Sequence, residues 1–163
     1  MIGAAAQVID AFRSANLKLA LAESLTGGAL ASALVDVPGA SEVLLGSVVA
    51  YDSKLKTNLL NVPSGLIETV GAVDPLVALG MASGVRFQLA QAAELDAVQV
   101  VGFGITGVAG PTEQDNHPVG EVFAAVVTAQ GARQHAWMFT GSRNEIREAA
   151  VSKGLKLLLE VIG

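Results

Sequence analysis

The chain has 163 residues, of which 52% are hydrophobic and 15% charged, so we expect one core and a single domain over residues 1–163. A formal net charge of −5, with no run of lysine and arginine, argues against nucleic acid as a partner. The absence of cysteine and the presence of only two histidines exclude disulfides, thiolate nucleophiles and a histidine-cysteine metal site. No apolar stretch reaches membrane-spanning length, and we expect a cytoplasmic protein without a membrane partner.

The first third of the chain is predicted to alternate between helix and strand. Hydrophobic residues at helical spacing predict an amphipathic helix over residues 3–15, and the apolar run over 17–22 predicts a strand. A second helix is predicted over 28–35, and it ends before Pro38 and Gly39, which disfavour its continuation.

The turn between this strand and the second helix is the strongest candidate for a site. Gly27 and Gly28 allow the backbone to approach a ligand closely, and the first N–H groups of a helix lack partners within it. Such groups favour a phosphate or a developing oxyanion, so Ser24 beside them is a candidate nucleophile. The alternative is that Ser24 caps the helix, as serine does at many helix starts.

A second strand is predicted over 43–51, followed by a short polar helix that contains Lys54 and Lys56. Tyr51 and both lysines therefore stand at the carboxyl end of a strand, where open α/β sheets bind their ligands. A desolvated lysine beside a serine can activate its hydroxyl without histidine. The alternative is that the lysines are solvated surface charges and that Tyr51 only anchors the strand end.

The rest of the chain continues the alternation. We predict a short helix over 63–70, a long helix over 74–93, a buried strand over 97–105, antiparallel strands over 119–128 and 134–139, and a helix over 142–162. Five strands interleaved with about five helices predict an α/β protein, a three-layer α/β/α sandwich with a mixed, mostly parallel sheet.

Two further segments are candidates for binding an anion. Thr106, Gly107 and Gly110 belong to a glycine-rich loop after a buried strand, which can cradle phosphate with backbone N–H groups or can be only a turn. Arg143 and Arg147 lie four residues apart on one face of the last helix, near its N-terminus. A cation is poorly placed there unless it binds a phosphate or carboxylate; ordinary solvated arginines are the alternative.

Several motifs occur in a fixed order along nearly the whole chain. They are ESLTGG at 23–28, DVPGAS at 36–41, VAY at 49–51 followed by Lys56, GAV at 71–73, GITGVAGP at 104–111 and PVG at 118–120. This ordered set closely resembles the CinA C-terminal domain family. The chain departs from the family pattern at Leu25, usually cysteine, at Lys54, in a segment that is usually neutral, and at Ser142, usually aspartate.

The resemblance implies a nicotinamide-nucleotide amidase, which hydrolyses nicotinamide mononucleotide to nicotinic acid mononucleotide and ammonia. By motif, Ser24 would be the nucleophile, Lys56 the base that activates it, and Tyr51 a helper in that network. The remaining site residues would bind the substrate or its oxyanion: Thr26, Gly27, Gly28, Thr106, Gly107, Gly110, Arg143 and Arg147. The resemblance also implies no metal or other cofactor, and a small homo-oligomer, commonly a dimer.

Two other functions remain open from the sequence. The same fold could bind a nucleotide without turnover, as a regulatory module, or it could be an amidase of another small amide. Ammonia release from nicotinamide mononucleotide by the wild-type protein and by Ser24→Ala would separate these functions.

Overall fold

The computed structural model describes residues 2–162, in which helices cover both faces of a five-stranded sheet. Its elements are α1 Ile2–Ser14, β1 Lys18–Glu23, α2 Ala29–Val35, β2 Leu44–Val49, α3 Ser53–Leu60, α4 Ser64–Val70, α5 Pro75–Ala92, β3 Val100–Gly107, β4 Glu121–Thr128, β5 Gly131–Met138 and α6 Arg143–Ile162. Short 3-10 turns occupy Ala40–Glu42 and Ala97–Gln99, so the third strand begins later than its apolar run predicts. Over these described residues, no helix is both long and apolar enough to cross a membrane.

The strand order β2-β1-β3-β4-β5 confirms the predicted mixed sheet. β1 pairs in parallel with β2 and β3, whereas β4 pairs antiparallel with β3 and β5. Four strands therefore run in one direction and only β4 runs against them. Consequently the carboxyl ends of β1, β2 and β3 meet at one edge of the sheet, where α/β proteins collect their ligands.

Side chains of β1 alternate between two cores, which confirms the predicted three layers. Leu19 and Leu21 pack in the cluster that contains α1, α2 and α6 residues. Ala20 and Ala22 pack in the cluster that contains α3 and α5 residues. Because successive residues of a strand point to opposite faces, Ser24 follows Ala22 toward the α3 and α5 side.

Small residues let α5 lie very close to β3. A Cβ atom added at Gly102 would overlap the backbone oxygen of Ala82, and one at Gly104 would overlap that of Ala78. Thr106 follows these glycines on the same face of the strand. The pleat of two adjacent parallel strands thus brings Thr106 and Ser24 to the same face and the same edge of the sheet.

Candidate active site

Ser24 begins a turn that extends the ladder between β1 and β3. Its N–H donates to the Ile105 oxygen at 3.1 Å, and its own carbonyl accepts the Gly27 N–H at 3.1 Å. Gly27 and Gly28 have φ values of 62° and 91°, a region that favours glycine. Helix α2 begins only at Ala29, after Gly28, so the alternative that Ser24 caps this helix is wrong. The Ser24 hydroxyl is therefore not used to stabilise the helix start.

The N-terminus of α2 is instead satisfied by Glu23, a residue that the sequence analysis assigned no role. Its buried carboxylate accepts N–H groups from Gly28 at 3.0 Å, Leu30 at 3.1 Å and Ala31 at 2.9 Å. It also accepts the Ser47 hydroxyl at 3.1 Å. The anion predicted for this helix start is thus supplied by the chain itself. One signal could have revealed it, an acidic residue at the end of an otherwise apolar strand.

Lys56 lies on α3, and its amine is buried against Ser24. The side chain is 1% exposed, and Nζ donates to Ser24 Oγ at 3.1 Å, to the Ala50 oxygen at 2.7 Å and to the Tyr51 oxygen at 3.5 Å. Among residues 2–162, no carboxylate forms a salt bridge with this amine. Burial lowers the pKa of Lys56 from 10.5 to about 8, although the charges of Asp52 and Asp115 partly oppose that change.

The neighbours of the Lys56 amine determine what it can do chemically. A neutral amine has two N–H donors and one lone pair. The carbonyl oxygens of Ala50 and Tyr51 are acceptors, so they take the two N–H groups. The remaining tetrahedral position faces the Ser24 hydroxyl, which can donate its proton to the lone pair. Since the pKa is about 8, a substantial fraction of the amine is neutral near physiological pH.

Tyr51 and Arg143 form the rim of the site. Tyr51 is 60% exposed, and its phenol oxygen accepts a hydrogen bond from Arg143 Nη2 at 2.9 Å. Arg143 Nη1 also donates to the Gly110 oxygen at 2.6 Å. The side chain of Tyr51 therefore contacts the arginine, while its backbone carbonyl faces Lys56. Lys54, by contrast, is exposed on α3 and lies outside the cavity described next.

A cavity of about 280 Å³ opens at the carboxyl edge of the sheet, beside Ser24. Its lining includes Ser24, Leu25, Tyr51, Lys56, Ala72, Val73, Thr106, Gly107, Val108, Ala109, Gly110, Thr112, Glu113, Gln114 and Arg143. The Thr106 hydroxyl is buried and donates to the Ala72 oxygen at 2.8 Å. The N–H groups of Ala109 and Gly110 have no acceptor within the described part of the chain. These two groups are therefore available to a ligand.

Arg147 contacts the Ser24 turn from outside the cavity. Its Nε donates to the Leu25 oxygen at 2.9 Å and its Nη2 to the Thr26 oxygen at 2.9 Å. Thr26 is fully buried, and its hydroxyl has no hydrogen-bond partner among residues 2–162. The structure thus brings most of the predicted site residues around one cavity, but Thr26, Gly27, Gly28 and Arg147 do not line it. Nor do residues 2–162 contain a cluster of histidine, aspartate and glutamate side chains that could hold a metal ion.

The family model described as the CinA C-terminal domain matches residues 2–162. The chain belongs to the CinA C-terminal domain family. This CinA C-terminal domain is 41% identical over 144 residues to a CinA-like protein of Desulfotalea psychrophila, a match that covers 88% of the chain and 33% of that protein. A CinA-like protein of Synechococcus sp. is 41% identical over 157 residues, which cover 94% of the chain and 36% of that protein. The chain thus spans about a third of the length of the curated relatives it matches.

The solved structures agree with this assignment. The crystal structure of the competence/damage inducible protein CihA from Agrobacterium tumefaciens has a TM-score of 0.89 and 31% sequence identity to this CinA C-terminal domain. The similarity covers 99% of this chain and 95% of that one. The three-layer arrangement that positions Ser24 and Lys56 is therefore a fold shared with a solved member of the family.

Proposed function

We propose that this CinA C-terminal domain is a nicotinamide-nucleotide amidase that hydrolyses nicotinamide mononucleotide to nicotinic acid mononucleotide and ammonia. One observation carries the proposal: the buried amine of Lys56 lies 3.1 Å from the hydroxyl of Ser24 at the edge of a cavity. A nucleophile paired with a desolvated base is the arrangement that amide hydrolysis needs.

The reaction proceeds in two halves. Neutral Lys56 takes the proton of Ser24 as Oγ attacks the carboxamide carbon, and a tetrahedral oxyanion forms. The Lys56 ammonium then gives its proton to the amide nitrogen, the C–N bond breaks, and ammonia leaves behind an ester on Ser24. In the second half Lys56 takes a proton from water, which attacks the ester carbon. The C–O bond to Ser24 breaks, and Oγ recovers the proton from Lys56 as the carboxylic acid product departs and ionises.

The other lining groups support a substrate that carries a phosphate. Arg143 lies at the rim, where its guanidinium can donate two parallel hydrogen bonds to the oxygens of one phosphate. The unpaired N–H groups of Ala109 and Gly110 add backbone donors close to it. Phosphate binding at the rim of the cavity that contains Ser24 would orient the carboxamide against the nucleophile and so raise kcat/KM.

A site that only binds a nucleotide would not need a buried lysine. Removing an amine from water costs free energy, and residues with strongly lowered pKa values cluster at catalytic sites. The buried amine of Lys56 therefore favours turnover over the regulatory module. Comparison of nicotinamide mononucleotide with nicotinamide riboside then tests which amide is the substrate.

The test is ammonia release from nicotinamide mononucleotide by the purified protein, by Ser24→Ala and by the control Ser32→Ala, which changes an exposed serine of α2. We expect Ser24→Ala to lose activity while it keeps the wild-type melting temperature, and Ser32→Ala to retain both. Nicotinamide riboside, run in parallel, should be the poorer substrate. Binding of the mononucleotide without ammonia release would favour the regulatory module, and activity that survives in Ser24→Ala would refute the serine mechanism.

A further inference from the structure

Two arginines of α6, one helical turn apart, contact opposite sides of the candidate active site. Arg143 lines the cavity, whereas Arg147 lies on the α2 and α6 side of the turn, in a groove that also contains Ala29 and Asn144. The Arg147 guanidinium is half-buried and holds two consecutive backbone carbonyls, those of Leu25 and Thr26, each at 2.9 Å. A planar group with parallel N–H donors suits two neighbouring carbonyls well.

The geometry of the peptide bond relates these carbonyls to their N–H groups. In a trans peptide the C=O and the N–H of one unit point in opposite directions. The Leu25 oxygen points to Arg147, so the N–H of Thr26, in the same peptide unit, points away from Arg147. The Ser24 oxygen points into the turn, toward the Gly27 N–H, so the N–H of Leu25 points out of it.

Both N–H groups are unpaired, since neither donates a hydrogen bond within residues 2–162, and Leu25 is the one of the two residues that lines the cavity. The N–H of the residue that follows a nucleophilic serine is a well-placed donor for the tetrahedral oxyanion in other serine hydrolases. The N–H groups farther along the turn cannot serve, because those of Gly27 and Gly28 donate to Ser24 and Glu23.

We propose that Arg147 is a positioning residue that keeps the Ser24 turn in the orientation in which the N–H of Leu25, a residue that lines the cavity, receives the oxyanion. This role rests on the proposed amidase function. Without Arg147 the Leu25 carbonyl loses its partner and the Thr26 carbonyl keeps only the Ala29 N–H, so the peptide unit between Leu25 and Thr26 is free to rotate. A rotated unit would present a carbonyl oxygen where the developing negative charge needs a donor.

The proposal separates the two arginines by their kinetic effects. Arg147→Ala should lower kcat for nicotinamide mononucleotide on the order of 100-fold, the loss seen when an oxyanion donor is removed. Its KM, and its preference for the mononucleotide over nicotinamide riboside, should stay within about twofold of wild type, because the phosphate site is intact. Arg143→Ala is the matched variant on the same helix and should raise KM and erase much of that preference. Arg147→Lys should keep part of the activity, since an ammonium can still donate to the carbonyls.

Two outcomes of this comparison would overturn the proposal. If Arg147→Ala raises KM and erases the preference for the mononucleotide, Arg147 binds the phosphate. If kcat is unchanged, the turn holds its orientation without the arginine. Added guanidinium ion at millimolar concentration should restore part of kcat in Arg147→Ala, which a general loss of folding would not allow.

A second measurement does not depend on the identity of the amide. A fluorophosphonate probe phosphonylates an activated serine with loss of fluoride, and its phosphonyl oxygen takes the place of the oxyanion. We expect mass spectrometry to find the wild-type protein labelled at Ser24 and Arg147→Ala labelled at least about tenfold more slowly. Such a difference without ammonia release from nicotinamide mononucleotide would mean that only the proposed substrate is wrong. Equal labelling rates would overturn the role of Arg147.

Discussion

Two glycine-rich turns follow neighbouring parallel strands at the same edge of the sheet, and their backbone N–H groups differ in availability. After β1, the N–H groups at the start of α2 are bound by the buried carboxylate of Glu23. After β3, those of Ala109 and Gly110 have no acceptor among the residues that the structure describes. Glycines after a strand therefore mark a place where N–H groups can gather. Whether these groups serve a ligand depends on whether the chain supplies its own anion.

The largest expected effect concerns the side of the Ser24 turn that Glu23 does not contact. Lys56→Ala should lower kcat on the order of 1000-fold, because it removes the base that takes the serine proton. Lys54→Ala is the matched control two residues away, exposed on the same helix, and should change kcat less than about twofold. Both are measured by ammonia release from nicotinamide mononucleotide. The reverse ranking would assign the base to Lys54.

Glu23→Ala should destabilise the start of α2, because it removes the acceptor of the N–H groups there. Three backbone N–H groups and the Ser47 hydroxyl would lose their acceptor, and a buried unsatisfied donor costs about 1–3 kcal/mol. We expect the free energy of unfolding, measured in urea, to fall by roughly 3 kcal/mol or more. Glu23→Gln, which keeps one acceptor oxygen, should lose less, and the exposed Glu148→Ala should lie within about 0.5 kcal/mol of wild type. Equal stabilities for Glu23→Ala and Glu148→Ala would contradict this account of the helix start.

The buried amine of Lys56 predicts a pH dependence with a definite sign. Its pKa is about 8, and only the neutral amine is a base, so kcat/KM should rise about tenfold per pH unit below pH 8 and level off above it. In the unfolded chain the pKa of Lys56 is 10.5, and in the folded protein it is about 8, so the unfolded chain keeps this proton to a higher pH. The unfolding free energy should therefore increase between these pH values, by on the order of 3 kcal/mol.

Lys56→Met is the control for this pH dependence, because it removes the titrating group and keeps an unbranched side chain only one atom shorter. Urea unfolding at several pH values should show the increase in the wild-type protein and not in the variant. A wild-type rate that is flat between pH 6 and 9 would argue against a lysine base.

The smallest expected effect tests the turn after β3, where the N–H groups of Ala109 and Gly110 are unpaired within residues 2–162. Gly110 has φ of 84°, and an added Cβ would lie 2.9 Å from Val119 Cγ1, so Gly110→Ala should displace the loop. We expect kcat/KM for nicotinamide mononucleotide to fall about tenfold, the equivalent of 1.4 kcal/mol, and that for nicotinamide riboside to change little. Gly65→Ala, where a Cβ meets no atom within 4 Å, is the control. An equal loss with both substrates would assign the loop a structural role instead.

The order of helices and strands in this protein, and their layers, follow from local sequence patterns. The alternation of Leu19 and Leu21 with Ala20 and Ala22 is a local pattern, and so is the helical spacing in α1. Each pattern specifies which face must be buried, and five such strands with intervening helices permit few arrangements. The motifs alone also pointed to Ser24 and Lys56, by their resemblance to the CinA C-terminal domain family.

Which groups of the candidate site are free depends on contacts between distant parts of the chain. Lys54 and Lys56 lie two residues apart on one helix, so they point in different directions, but only the docking of α3 on the sheet buries Lys56 and leaves Lys54 exposed. Likewise, Arg147 contacts Leu25 across 122 residues, and no local pattern encodes that contact. Desolvation and hydrogen-bond pairing arise from atoms that folding brings together from distant parts of the chain. The roles of Glu23 and Arg147 therefore follow from their surroundings, and the role that the motif assigns to Lys56 depends on the burial of its amine.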